Sequence, residues 1–103
     1  MTLCVTLESE LCTAISDLVP DDNGLFYQLL MKRGLDKFEL LKYVDLYGRT
    51  VFNVAQMPVV ERELRELLSE VSARWDRDFL ERAAALAVRG ASSPHQYLVF
   101  DGD

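Results

Sequence analysis

The chain has 103 residues, half of them apolar and 27% charged, so length and composition predict one globular domain over residues 1–103. Its formal net charge is −6 at pH 7, and an acidic surface repels phosphate backbones and anionic membranes. These values argue against nucleic-acid and membrane binding and favour a protein partner, most simply a basic one.

The N-terminal part predicts a strand, a helix and a turn. Leu3, Val5 and Leu7 alternate with polar or small residues, which is typical of a half-buried strand. From Glu8 to Val19 the apolar residues fall at helical spacing, so we expect a helix there. The run from Pro20 to Gly24 contains a helix terminator and strong turn formers, and it ends that helix.

The middle of the chain predicts a short helix and then a hairpin. Leu25 to Arg33 suits a helix that ends in a glycine cap at Gly34, although its aromatic content also permits a strand. Phe38 to Val44 is rich in strand formers, and Thr50 to Phe52 follows after a glycine-containing loop. We therefore expect these two segments to pair as a hairpin.

The segment from residue 45 to residue 56 is the densest run of special residues. Asp45 is expected to accept hydrogen bonds from loop amides, and Gly48 is expected at positive φ. Asn53 and Gln56 stand at a helix entry, where they can satisfy exposed backbone groups. The segment therefore predicts a hinge that turns a strand directly into a helix.

The C-terminal half predicts a helical hairpin. Pro58 suits the first turn of a helix, and the apolar stripe that follows continues in one phase for about thirty residues. One helix of that length would be roughly 48 Å long, far too long for a domain with a radius of gyration of about 13 Å. We therefore expect two helices, about 58–75 and 77–89, with Asp76 or Asp78 capping the second.

The order of the predicted elements gives the fold class. Gln96 to Phe100 forms a final strand, so strands and helices alternate without a repeating pattern. This order predicts an α+β fold, with a small, mostly antiparallel sheet and helices packed on one face. The C-terminal helical hairpin belongs to that helical layer.

The cysteines and the N-terminus suggest a reducing compartment. The sequence shows neither the pattern of a signal peptide nor an apolar run of membrane length, so a cytoplasmic location is expected. Thiols stay reduced there, and Cys4 and Cys12 are expected to be small buried hydrophobic residues.

Catalytic and metal-binding patterns are weak. His95 is the only histidine and follows Pro94 at the start of the last strand. A small ligand-binding domain or enzyme that uses His95 and a carboxylate, with Cys4 or Cys12 as a nucleophile across the sheet, is the alternative hypothesis. One histidine and two separated cysteines do not match zinc spacing. No catalytic, cofactor-binding or metal-binding residue is therefore predicted, and the chain is not expected to be an enzyme.

A resemblance rests on the pattern Asp-x-Tyr-Gly-x-Thr-Val-Phe-Asn-x-x-Gln at residues 45–56 and on Tyr-Leu-x-Phe-x-Gly-Asp at residues 97–103. With Glu63-Leu64 on the helix, these motifs resemble a group of small bacterial proteins without an assigned function. The resemblance covers about residues 40–103 and implies a bacterial origin and a shared fold. Arg49 stands where we expect an acid in that group, and the chain resembles immunity proteins in type, not in motif.

The leading functional hypothesis is a non-enzymatic, acidic protein-binding module, most concretely an immunity-type inhibitor or antitoxin of a basic protein. A self-associating structural protein or homodimer is a further alternative, should residues 58–89 form one unbroken helix. Aromatic residues and arginine anchor interfaces, and the acids around them steer the partner. The expected partner-binding residues are Asp21, Asp22, Asp45, Tyr47, Arg49, Asp101 and Asp103.

Overall fold

The fold is α+β, as the element order predicts, with three helices packed against one four-stranded sheet. It is seen in a computed structural model that describes residues 3–22 and 24–102, apart from the side chains of Trp75 and Asp76. The strands are β1 (Cys4–Ser9), β2 (Val19–Pro20), β3 (Arg49–Phe52) and β4 (Gln96–Asp101). The α-helices are α1 (Leu25–Arg33), α2 (Met57–Leu68) and α3 (Arg74–Ala91).

The sheet has the strand order β2-β1-β4-β3, and all neighbouring pairs are antiparallel. In register, Val5 lies opposite Phe100, and Leu7 lies opposite Leu98. All four of these side chains are fully buried, so this face of the sheet carries the core. The alternation along β1 places its apolar residues towards the helices, which confirms the strand predicted around Val5.

Aromatic rings connect the sheet to the helices. Phe26 on α1 lies 6.1 Å from Phe79 on α3 and 5.7 Å from Phe100 on β4, measured between ring centroids. Phe52 on β3 meets Phe100 edge to face at 5.6 Å. Such pairs contribute roughly 0.5–1.5 kcal/mol of stability beyond the burial of their apolar area. They therefore help to hold α1 and α3 against the sheet.

The helical hairpin is confirmed, but its break lies earlier than predicted. Helix α2 ends at Leu68, and α3 already begins at Arg74, so the N-cap position falls on Ala73 and both Asp76 and Asp78 lie inside α3. The guanidinium of Arg77 donates to the carbonyls of Leu68 and Val71 at 3.0 and 2.7 Å. It thereby gives the Leu68 carbonyl a second donor besides the Val71 N–H, and it gives a donor to the Val71 carbonyl in the turn after α2.

The hairpin buries the apolar stripe within one chain. Val60 and Leu64 on α2 and Ala83 on α3 are fully buried, and the radius of gyration is 12.5 Å. The long rod that motivated self-association is therefore not formed. In the described part of the chain, no helix is both long and apolar enough to cross a bilayer.

The helix predicted from Glu8 to Val19 is wrong. The chain instead folds back along the edge of β1, with a bridge between Glu8 and Ala14 and a hydrogen bond from the Ile15 N–H to the Leu7 carbonyl at 2.9 Å. The hydroxyls of Ser9 and Ser16 accept backbone N–H groups there. Short polar side chains of this kind compete with helical hydrogen bonds for the backbone groups. Here that competition outweighs the helical spacing of the apolar residues.

The strand predicted from Phe38 to Val44 is also wrong, so β3 pairs with β4 and not with that segment. Short 3₁₀ turns at Leu35–Lys37 and Leu41–Tyr43 occupy this region instead. The buried carboxylate of Glu63 on α2 accepts the N–H groups of residues 39, 40 and 41. Those donors are therefore satisfied by a side chain from another element and not by a neighbouring strand.

Candidate functional site

Most of the predicted contact residues lie at one end of the sheet. Pro20 lies opposite Cys4, Cys4 opposite Asp101, and Asp101 opposite Arg49, so one row crosses all four strands. Asp21 and Asp22 follow Pro20 directly, and residues 45–48 precede Arg49. We call the exposed residues of this region, Asp22, Asp45, Tyr47, Arg49 and Asp101, the acidic end of the sheet.

The loop at residues 45–48 is held from both sides. The Asp45 carboxylate accepts the Tyr47 N–H at 2.8 Å, as predicted for a loop acid, and the Thr50 hydroxyl accepts the Asp45 N–H at 2.9 Å. The N–H of Gly102 donates to the carbonyl of Gly48 at 2.7 Å. These bonds fix the backbone that presents Tyr47, whose side chain is 73% exposed.

Gly48 does not adopt positive φ, so that prediction is wrong. A Cβ at this position would lie 2.6 Å from Oδ2 of Asp45. Glycine is required here for space beside the Asp45 carboxylate and not for a left-handed backbone. The residue thus lets Asp45 fold over the loop and bond to its amide.

A pocket of about 310 Å³ opens between the loop and α1. This volume stands at the lower end of the range for small-molecule sites. The exposed fraction of Tyr27 is 46%, so both tyrosines of the lining reach solvent. The lining residues are Leu3, Asp21, Gly24, Tyr27, Gln28, Leu46 and Tyr47.

Asp21 lines this pocket but is only 5% exposed, so it is mainly structural. Its two carboxylate oxygens accept the N–H groups of Leu25 and Phe26 at 3.1 and 2.9 Å, which caps the start of α1. Gly24, at φ 64°, makes the turn between the capping residue and the helix. Of the two neighbouring predicted contact residues, Asp21 is therefore buried and caps α1, whereas Asp22 is exposed.

Arg49 lies across the outer face of the sheet, opposite the helices. Its guanidinium bonds to the carboxylate of Glu8 and lies 3.5 Å from that of Asp101. The bond with Glu8 raises the pKa of Arg49, and the charges of Asp101 and Cys12 act in the same direction. The positive charge of Arg49 is therefore paired with acids of its own chain. Asp103, another predicted contact residue, lies outside the described residues.

Tyr27 is a site residue that sequence reasoning missed. On α1 its neighbours Phe26, Leu29 and Leu30 are buried, and Tyr27 falls off that buried stripe. An aromatic residue on the exposed side of a short amphipathic helix was the available signal. The other missed lining residues carry no such signal; they are Leu3, Gly24, Gln28 and Leu46.

His95 lies at the opposite end of β4 from the acidic end. It precedes Gln96, which lies opposite Ser9, and its side chain is 71% exposed with Nδ1 3.2 Å from Glu10. The described pocket contains neither residue. The alternative hypothesis of a histidine at a pocket mouth thus has no support from this pocket.

The cysteines do not behave as one buried pair. Cys12 is exposed, contrary to expectation, and Cys4 is half-buried. Within residues 3–22 and 24–102, no group of three or more His, Cys, Asp or Glu side chains is placed to hold a metal ion.

Comparison of the chain with protein-family models, with curated proteins and with solved structures gives no match.

Proposed function

We propose that the protein is a non-enzymatic binding module that holds a basic protein partner at the acidic end of the sheet. The observation that carries this proposal is convergence. Asp22, the 45–49 segment and Asp101 are far apart in sequence, yet the strand register brings them to one end of the sheet, where Leu46 and Tyr47 of that segment also line a pocket. Scattered acids on a globular surface would not need to share one end of a sheet.

The charges of this end favour a basic partner. Asp22, Asp45 and Asp101 are exposed acids, and the one cation among them, Arg49, is already paired with Glu8 and Asp101. The surface therefore presents net negative charge to an approaching protein. Complementary charge mainly raises the association rate and selects among partners.

The loop supports binding without rearrangement. The Asp45 N–H donates to the Thr50 hydroxyl, the Gly102 N–H donates to the Gly48 carbonyl, and the Tyr47 N–H donates to the Asp45 carboxylate, and these bonds hold Tyr47 in an exposed position before any partner arrives. A preorganised aromatic residue loses little conformational freedom on binding, which favours affinity. Exposed tyrosine is also among the residue types that anchor interfaces most strongly.

An immunity-type inhibitor or antitoxin is the most concrete form of this proposal. Such a protein has to be small, rigid and complementary in charge to a basic target, and it acts by occupying that target in the cytoplasm. The net charge of −6 and the tied-down loop suit this role. A toxin-like open reading frame beside the gene would support it.

The test compares two variants with equal changes of charge. Asp22→Asn with Asp101→Asn removes two acids from the acidic end, whereas Asp78→Asn with Glu81→Gln removes two exposed acids from α3. A partner captured by the wild-type chain from its host is purified and titrated against all three proteins at low and high salt. The first variant should bind more weakly, chiefly through slower association, and the second should bind like the wild type.

Equal affinity of the two variants would overturn the placement of the interface. A dissociation constant that does not change between low and high salt would overturn the electrostatic basis, because exposed charges are screened beyond about 10 Å at 0.1 M salt. Circular dichroism of each variant checks that the fold is retained.

A further inference from the structure

The pocket at the acidic end combines aromatic, apolar and acidic groups. Tyr27 and Tyr47 are both substantially exposed, Leu3 and Leu46 supply apolar surface, and Asp21 supplies a carboxylate. Among the described residues, its lining contains no lysine, arginine or histidine. A pocket of about 310 Å³ with this lining suits one long side chain better than a large cofactor.

Asp21 indicates the charge of the group that this pocket would bind. The start of α1 would attract an anion if its N–H groups were free, but the Asp21 carboxylate already accepts the N–H groups of Leu25 and Phe26. An anion in the pocket would face that carboxylate, whereas a cation would be attracted to it.

The aromatic rings strengthen the case for a cation. The helix dipole offsets part of the charge of Asp21, so the carboxylate alone is a modest attraction. The faces of Tyr27 and Tyr47 attract a cation through the ring quadrupole, and this attraction grows when the cation is desolvated. Asp22 and Asp45, both exposed, flank the lining residues in sequence and add negative potential.

We propose that this pocket receives one arginine side chain of the basic partner. The proposal rests on the proposed function and names the chemistry by which the partner is held. Arginine is favoured over lysine because its planar guanidinium stacks on aromatic faces and is more weakly hydrated than an ammonium. The apolar stem of the arginine packs against Leu3 and Leu46, and Gln28 offers an amide oxygen to its N–H groups.

The first experiment uses three tripeptides with blocked ends, Gly-Arg-Gly, Gly-Lys-Gly and Gly-citrulline-Gly, titrated into the isotopically labelled protein and followed by NMR. Citrulline keeps the shape of arginine but replaces the guanidinium by a neutral urea. The arginine peptide should shift the backbone amides of residues 24–28 and 46–47, and the citrulline peptide should bind about tenfold more weakly. The lysine peptide should fall between them.

Variants of the tyrosines locate the guest. Tyr47→Ala should weaken the arginine peptide about tenfold, while Tyr47→Phe, which keeps the ring, should bind nearly as the wild type does. Tyr43→Ala is the matched control, since Tyr43 is 64% exposed but does not line the pocket. Tyr27→Ala tests the opposite wall, and circular dichroism shows whether α1 is retained.

Several results would overturn the proposal. These are equal binding of the arginine and citrulline peptides, binding of lysine as tight as that of arginine, or equal losses for Tyr47→Ala and Tyr43→Ala. The proposed function fails separately. If the purified partner binds the Asp22→Asn, Asp101→Asn protein more weakly but binds Tyr47→Ala like the wild type, the proposed function is supported and the arginine pocket is refuted. If the arginine peptide binds in the pocket but the partner binds the Asp22→Asn, Asp101→Asn protein as tightly as the wild type, the pocket is supported and the proposed acidic interface is refuted.

Discussion

Glu63 gives a quantitative test of how the site is supported. It is 2% exposed, and its carboxylate accepts three backbone N–H groups from the segment that leads to the pocket loop. Glu63→Ala removes all three acceptors. Hydrogen bonds to charged groups contribute about 1.5–3 kcal/mol each, and two of the three bonds are only partly buried, so we expect the unfolding free energy to fall by about 3–5 kcal/mol.

The conservative substitution separates the three bonds. Oε1 of Glu63 accepts the N–H groups of Leu40 and Leu41, and Oε2 accepts that of Glu39. In Glu63→Gln the amide oxygen can keep the first two bonds, but the NH₂ group then faces the N–H of Glu39, donor against donor. Because the amide is neutral, the two retained bonds weaken as well, and together with the lost bond this predicts a decrease of about 1.5–3 kcal/mol.

Urea denaturation followed by far-UV circular dichroism measures these losses. A decrease of about 2 kcal/mol corresponds to a melting temperature lower by about 8–16 °C in a domain of this size. Glu61→Ala is the control on the same helix, because its carboxylate forms an exposed pair with Arg65 at 2.7 Å and should matter by less than about 0.5 kcal/mol. If Glu63→Ala is no more damaging than Glu61→Ala, the carboxylate does not hold this segment.

Three further substitutions test the remaining supports. Arg77→Ala should lower the unfolding free energy by about 1–2 kcal/mol in urea, because the Val71 carbonyl loses its side-chain donor and the Leu68 carbonyl keeps only the Val71 N–H, whereas Arg82→Ala, which loses an exposed ion pair, should cost less than about 0.5 kcal/mol. Asp21→Ala should cost about 1–2 kcal/mol by uncapping α1, and Asp22→Ala much less; equal losses would rule out the cap. Gly102→Ala should shift the NMR resonances of the pocket loop, since its Cβ would collide with a loop carbonyl, and an unchanged spectrum would contradict this contact.

Elements with local start and stop signals could be predicted from the sequence. Gly34, at φ 94°, ends α1 and donates its N–H to the Leu30 carbonyl, as a glycine cap does. The Asn53 side chain accepts the Gln56 N–H at 3.0 Å, and Gln56 accepts the Asn53 N–H at 2.9 Å, so the predicted hinge before α2 is present. In each case the partners are at most four residues apart.

Two of the errors involve side chains that come from another element. Glu63 on α2 holds the segment at residues 39–41, and Arg77 on α3 bonds to carbonyls at Leu68 and Val71, where periodicity would have continued the helix. Neither effect can be recognised from the pattern of residues within the affected segment. The pocket was missed for the same reason, because Tyr27 and Tyr47 line it together only in the folded chain, where α1 lies beside the loop.

The pairing of β1 with β4 also governs how the protein can fold. These two strands form the centre of the sheet, yet Cys4 is the register partner of Asp101. On a ribosome, the central ladder therefore has to wait for the end of β4, while the α2–α3 hairpin, whose contacts are local, can form earlier. Closing so long a loop slows folding and leaves the apolar side of β1 uncovered in the meantime. The centre of the sheet therefore cannot form until β4 has been synthesised.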